Sequence, residues 1–213
     1  MYFLPEKLDA YIVSHSEEEP ELLQQLTRET YQKILQPIML SGPYQGRVLS
    51  MISKLIRPKT ILELGTFTGY ATLCLAEGLQ AVGEIDTIDV NEELVDFQRK
   101  YFDKSKYGTQ INQHLGSALD IIPSLDKTFD LVFIDADKPN YVNYFNLIID
   151  KLNPGGIILS DNVLWHGKVI EPLKIKDYST KAVLAFNTLL KNDKRIETVL
   201  LPIRDGLTIS RKI

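Results

Sequence analysis

Thr60-Ile61-Leu62-Glu63-Leu64-Gly65-Thr66-Phe67-Thr68-Gly69-Tyr70 decides how the rest of the chain is read. A short apolar run meets a glycine, and a second glycine four residues later lets the backbone turn into a helix. This is the strand–turn–helix start of an α/β unit, and the same rhythm repeats downstream. Strands are expected at 60–64, 84–89, 111–115, 129–135 and 157–160, with helices at 70–79, 91–101, 118–125 and 140–152. Asn91 is placed to cap the second of these helices, with Glu92 and Glu93 in its first turn. A further helix near 179–191 leads to two strands, 196–201 and 207–211. Only Pro202-Ile203-Arg204-Asp205-Gly206 separates them, which is too short for a parallel crossover and specifies an antiparallel hairpin.

Strand–helix alternation predicts an α/β fold, a doubly wound, mainly parallel sheet of seven strands in the Rossmann-like manner, closed by a C-terminal antiparallel hairpin. Upstream, residues 1–36 are expected to form an N-terminal helical extension. Glu17-Glu18-Glu19-Pro20-Glu21 suits a helix start, and Leu22, Leu23, Leu26, Thr30, Ile34 and Leu35 give an apolar face of helical period. Pro37 and Ser41-Gly42-Pro43 are read as ending this region, and 46–56 as a second amphipathic segment. The remaining residues, 37–213, form the main domain.

Composition narrows the class. The 213 residues are 44% hydrophobic and 24% charged, values of an ordinary globular chain. The single cysteine, Cys74, excludes an intrachain disulfide and falls on the apolar face of a helix. With no signal peptide recognisable at the start, this points to a cytoplasmic setting. No apolar run has membrane-spanning length, so no membrane partner is expected. The net charge of −4, without a Lys/Arg block, speaks against general nucleic-acid binding.

Chemistry-bearing residues cluster at the predicted strand ends, where open parallel sheets bind ligands. Asp89 ends the second strand about 24 residues after Gly65, near the spacing at which an acid takes both hydroxyls of a ribose. The third glycine of a dinucleotide fingerprint is missing, which disfavours an NAD-dependent oxidoreductase. Glu63 would repel a pyrophosphate but suits a cationic ligand, and S-adenosylmethionine carries both a sulfonium and an ammonium. At the next strand ends stand Asp135, with Lys138 three residues on, and Asp161-Asn162. Two carboxylates and an amide oxygen are hard donors, so a divalent cation (Mg²⁺ first, then Ca²⁺ or Mn²⁺) is expected on Asp135, Asp161 and Asn162. His15, His114 and His166 have no ligand spacing and read as surface or loop residues.

The chain resembles the metal-dependent O-methyltransferases of the caffeoyl-CoA and catechol type from about Met39 to its C-terminus. The resemblance rests on Leu62–Tyr70, on Phe133-Ile134-Asp135-Ala136-Asp137-Lys138-Pro139-Asn140-Tyr141, on Asn153-Pro154-Gly155-Gly156, on Asp161-Asn162-Val163-Leu164-Trp165 and on Leu201–Thr208. It implies that 37–213 is an S-adenosylmethionine-dependent methyltransferase domain. It implies cofactor contacts from Met39, Glu63, Gly65, Thr66, Ala71, Asp89, Ala118 and Asp135, with Lys138 and Asp135 catalytic. The plainer reading of Lys138 is a salt bridge to Asp135 or Asp137. The implied acceptor is a small aromatic diol chelated through both oxygens, its proton taken by Lys138 as general base. Some bacterial relatives methylate a hydroxylated uridine in tRNA, and that acceptor stays open, as does a non-catalytic binding protein. A homodimer is expected, because related enzymes pair and the helical lead and edge hairpin leave surface to cover.

Overall fold

The computed structural model describes residues 5–213. Residues 1–4, the start of the expected helical extension, lie outside the described residues. Helix α1 (Glu6–Ser14) and helix α2 (Glu21–Lys33) are followed by a 3₁₀ turn at Pro37–Met39 and by α3 (Gly42–Ile56). Among the described residues the extension is helical, as expected, in two helices. Pro20 precedes α2 as its N-cap, and of the acidic run only Glu21 lies in the first turn, Glu17–Glu19 standing before the helix. Leu23, Leu26 and Thr30 are buried along its apolar face, whereas Leu35, beyond the helix, is exposed. The cluster Ser41-Gly42-Pro43 opens α3 where a break was expected. Proline at the first helical positions loses no hydrogen bond, because the N–H it lacks has no partner there.

Alternation then proceeds as β1 (Thr60–Leu64), α4 (Tyr70–Ala76), β2 (Glu84–Asp89), α5 (Val95–Lys104), β3 (Ile111–Leu115), α6 (Ala118–Ser124), β4 (Phe129–Ile134), α7 (Tyr141–Ile148) and β5 (Leu152–Asp161). Helix α8 (Tyr178–Asn192), β6 (Ile196–Leu201) and β7 (Leu207–Lys212) complete it. The strands form one seven-stranded, mostly parallel sheet of order β3-β2-β1-β4-β5-β7-β6. Strands β5 and β7, and β7 and β6, pair antiparallel, as the short 202–206 connection requires. Among the described residues no helix is long and apolar enough to cross a membrane.

The chain divides into two compact units, one running up to Ser117 and the other spanning Ala118–Ile213. In the first, Ile61, Leu62 and Leu64 of β1 and Ile85 of β2 are fully buried. Such unbroken burial belongs to a parallel strand covered on both faces. Cys74 is also buried, in the middle of α4. In the second unit, Leu131–Ile134, Phe145, Ile158, Leu159 and Phe186 make the corresponding core. Strand β5 begins earlier than expected: Phe129 pairs with Leu152 and Leu131 with Ile157, so residues between them bulge.

One ion-pair cluster fixes α4, the helix that follows the glycine turn. At its C-terminal end Glu77 accepts from Arg47 (2.7 Å), Lys54 (2.7 Å) and Ser50 (2.6 Å) of α3. Burial opposes ionisation of Glu77, but these donors outweigh it and hold its carboxyl at about 2, below the usual 4.5. A depressed carboxyl stabilises the fold above the unfolded pKa and loses that contribution as pH falls through the folded one. The window here is pH 4.5 down to 2, and the contribution is about 3 kcal/mol. Urea unfolding of Glu77→Gln should therefore show a large deficit at pH 7 that shrinks towards pH 2. A deficit constant with pH would contradict the assignment.

Candidate active site

In the first unit, the ends of β1 and β2 carry a connected set of polar groups. Parallel register sets Glu63 beside Thr87. The Thr87 hydroxyl lies 2.5 Å from Glu63 Oε2, and Thr72 of α4 donates to the same oxygen. Glu63 is fully buried, and a buried carboxylate is tolerated only with such partners. Thr66 extends the set, its hydroxyl 2.5 Å from that of Thr87.

Asp89, half-buried at the end of β2, holds the turn itself. Its Oδ2 accepts from Phe67 N (2.8 Å) and its Oδ1 from Asn91 N (2.9 Å). Phe67 stands at φ 47°, a left-handed backbone that a phenylalanine rarely adopts. Asp89 on its N–H and Gln98 Nε2 on its carbonyl (2.5 Å) hold it there. Gly69, at φ 84°, closes the turn, and a Cβ on it would sit 2.5 Å from the Phe102 ring. A carboxylate has about four acceptor sites, so Asp89 keeps capacity for two hydroxyl donors. Asn91 caps as expected, its side chain accepting from Glu93 N. Ala71 is buried in the first turn of α4, and Met39 is exposed at the end of its 3₁₀ turn.

In the second unit, Asp135 follows β4 and Asp161 ends β5, one position beyond the registered pair Ile134 and Ser160. Lys138 Nζ, only 6% of the residue being exposed, donates to Tyr141 Oη (2.7 Å), Ala136 O (3.0 Å) and Asp135 Oδ1 (3.2 Å). Tyr141 is fully buried and relays the contact, its hydroxyl donating to Asp161 O at 3.1 Å. Burial first, and then the charges of Asp135 and Asp161, push the Tyr141 phenol well above its usual range. It stays protonated, so it can accept from Lys138 and donate to the carbonyl together. Trp165 stands beside this group, with Lys138 Nζ 5.9 Å from its ring centre. Asp137 makes its hydrogen bonds elsewhere, to Tyr144 and Asn140. Ala118 is buried at the start of α6.

An O-methyltransferase family model matches residues 13–213. This chain belongs to the O-methyltransferase family. The O-methyltransferase is 36% identical over 206 residues to a caffeoyl-CoA O-methyltransferase of Petroselinum crispum, covering 92% of this chain and 85% of that one. Its fold matches the SAH-bound methyltransferase PaMTH1 of Podospora anserina with a TM-score of 0.89 and 29% identity, over 100% and 99% of the two chains. An O-methyltransferase of Bacillus cereus in complex with SAH matches with a TM-score of 0.90 and 26% identity, over 97% of each.

The expected divalent cation is not borne out. Among the described residues no three His, Cys, Asp or Glu side chains group where they could hold a metal ion. The expected ligands were two carboxylates and one amide. Asp135 is already paired with the Lys138 ammonium, and Asp161 Oδ1 accepts the backbone N–H of Asn162 at 2.7 Å. Sequence reasoning also passed over Tyr141 as an acting group. Its place three residues after Lys138, across a single helical turn, was the available signal. Thr72 and Thr87 carried no local signal, since only strand register brings Thr87 to Glu63.

Proposed function

We propose that this O-methyltransferase moves the methyl group of S-adenosylmethionine onto a hydroxyl of a small aromatic diol of the catechol or caffeoyl kind. The observation that carries this reading is the buried Lys138 Nζ, ringed by Asp135, Ala136 O and Tyr141 Oη. The name of the plant relative supports the acceptor class, and the SAH-bound relatives support the donor.

The residues present fit such a donor. Asp89 has acceptor sites to spare for two ribose hydroxyls, and Gly65, at φ 92°, keeps side-chain bulk away from the turn. Glu63 supplies negative charge for the cationic end, its carboxylate preset by Thr72 and Thr87. Met39 and Ala71, in the same unit, belong to the set that the family resemblance assigns. When bound, S-adenosylmethionine supplies a sulfonium methyl that the acceptor oxygen takes, leaving a neutral thioether.

Lys138 performs the proton step. In its amine form Nζ takes the phenolic proton: the acceptor O–H bond breaks, an N–H bond forms, and a phenolate and an ammonium result. The observed surroundings suit that ammonium, offering one carboxylate, one carbonyl and one phenol oxygen. Asp135 balances the charge, and Tyr141, tied to Asp161 O, keeps Nζ from swinging away.

Two variants test the two halves separately. Lys138→Met should lower kcat by roughly 10²–10⁴-fold, the range of general base catalysis, while calorimetric affinity for S-adenosylmethionine is preserved. Retention of wild-type kcat would overturn the assignment. Asp89→Asn should weaken S-adenosylmethionine by about 1.5–3 kcal/mol, the range for hydrogen bonds to a charged group. Unchanged affinity in that variant would remove Asp89 from the ribose site.

A further inference from the structure

The antiparallel pairing of Asp161 with Leu207 sets the hairpin turn 202–206 alongside the loop that follows β5. Three hydrogen bonds join them. Val163 N donates to Gly206 O (3.3 Å), Leu164 N to Asp205 O (2.9 Å), and His166 N to Asp205 Oδ1 (2.6 Å). Asp205 is buried, and its second oxygen lies 3.6 Å from His166 Nδ1. Gly206, at φ 90°, permits the approach: a Cβ there would stand 2.6 Å from Leu164 Cγ and 2.9 Å from Leu164 N.

The loop so held is strained. Asn162, Trp165 and His166 have φ of 57°, 47° and 56°, and Gly167 follows at 80°. Non-glycine residues keep left-handed backbone only where their surroundings over-determine it. The Trp165 indole nitrogen is buried and finds no hydrogen-bond partner among the described residues, so the ring is placed by its backbone and its packing and by no hydrogen bond of its own. Its ring is nevertheless part of the wall beside Lys138.

We propose that Asp205 is a positioning residue: by accepting the His166 N–H it fixes the 162–167 backbone and so sets the Trp165 ring beside Lys138, where the acceptor is activated. This rests on the role given to Lys138 above. A merely structural aspartate would change stability alone, whereas a positioning aspartate changes the ring's surroundings and the handling of the acceptor.

Trp165 is the only tryptophan of the chain, so intrinsic fluorescence reports this loop directly. Asp205→Ala should shift its emission to the red, raise acrylamide quenching, and lower kcat/KM for a catechol acceptor by about tenfold or more. S-adenosylmethionine affinity should be unchanged. Asp205→Asn keeps an oxygen for the His166 N–H and should restore both fluorescence and kcat/KM close to wild type. Wild-type emission and quenching in folded Asp205→Ala would overturn the proposal, as would an Asp205→Asn variant equally impaired. Should Asp205→Ala fail to fold, hydrogen exchange of the wild-type protein decides: slow Leu164 and His166 amides support the clasp, and exchange at open-loop rates overturns it. A wild-type protein that methylates no aromatic acceptor, with fluorescence still responding as described, would overturn the reading of Lys138 and leave the Asp205 clasp standing.

Discussion

A lysine nitrogen shut away from water is the constraint around which the second unit is arranged. Burying an unpaired ammonium is prohibitively costly, so Lys138 requires acceptors on every side it presents. Asp135 supplies charge, Ala136 a carbonyl and Tyr141 a phenol oxygen. Tyr141 in turn needs acceptors of its own and finds them at Ile134 O and Asp161 O. The ends of β4 and β5 are thereby tied together through one phenol. A network of this kind is stabilising only when each member is satisfied, which makes its geometry narrow. That narrowness is what the proton transfer proposed for Lys138 needs.

The glycine turn of the first unit is built on the same logic with the charge reversed. A buried carboxylate, Glu63, is satisfied by hydroxyls from α4 and β2. A second carboxylate, Asp89, holds the strained Phe67 backbone. Electrostatic preorganisation in both places costs folding energy and is repaid elsewhere, by the buried apolar strands and by the Glu77 cluster that anchors α4.

Much of this was legible beforehand, for a physical reason. A parallel strand covered on both faces appears as an apolar run ended by turn residues, which marks 60–64, and the turn signals between elements bound 84–89, 111–115 and 196–201; all four were found to the residue. Where a residue type serves two purposes the reading failed. Pro43 suits a break as well as a helix start, and it starts α3. Asp135 and Asp161 were visible as polar strand ends, and a carboxylate at a strand end looks the same whether it meets a cation or a lysine. The salt bridge of Lys138 to Asp135, the plainer of the two expectations, is present. Partners joined by long-range pairing stayed hidden: Thr87 reaches Glu63 only through strand register, and Asp205 reaches His166 only through the closing hairpin.

The central claim is methyl transfer to an aromatic hydroxyl, and isotope transfer tests it most directly. The purified protein would be incubated with S-adenosylmethionine carrying a deuterated methyl group and with catechol or a caffeoyl ester, and the products resolved by mass spectrometry. The account predicts a labelled methyl ether on one ring oxygen, formed in equal amount with demethylated cofactor. Bound S-adenosylmethionine with no label reaching an aromatic oxygen, or label on nitrogen or carbon instead, would contradict it.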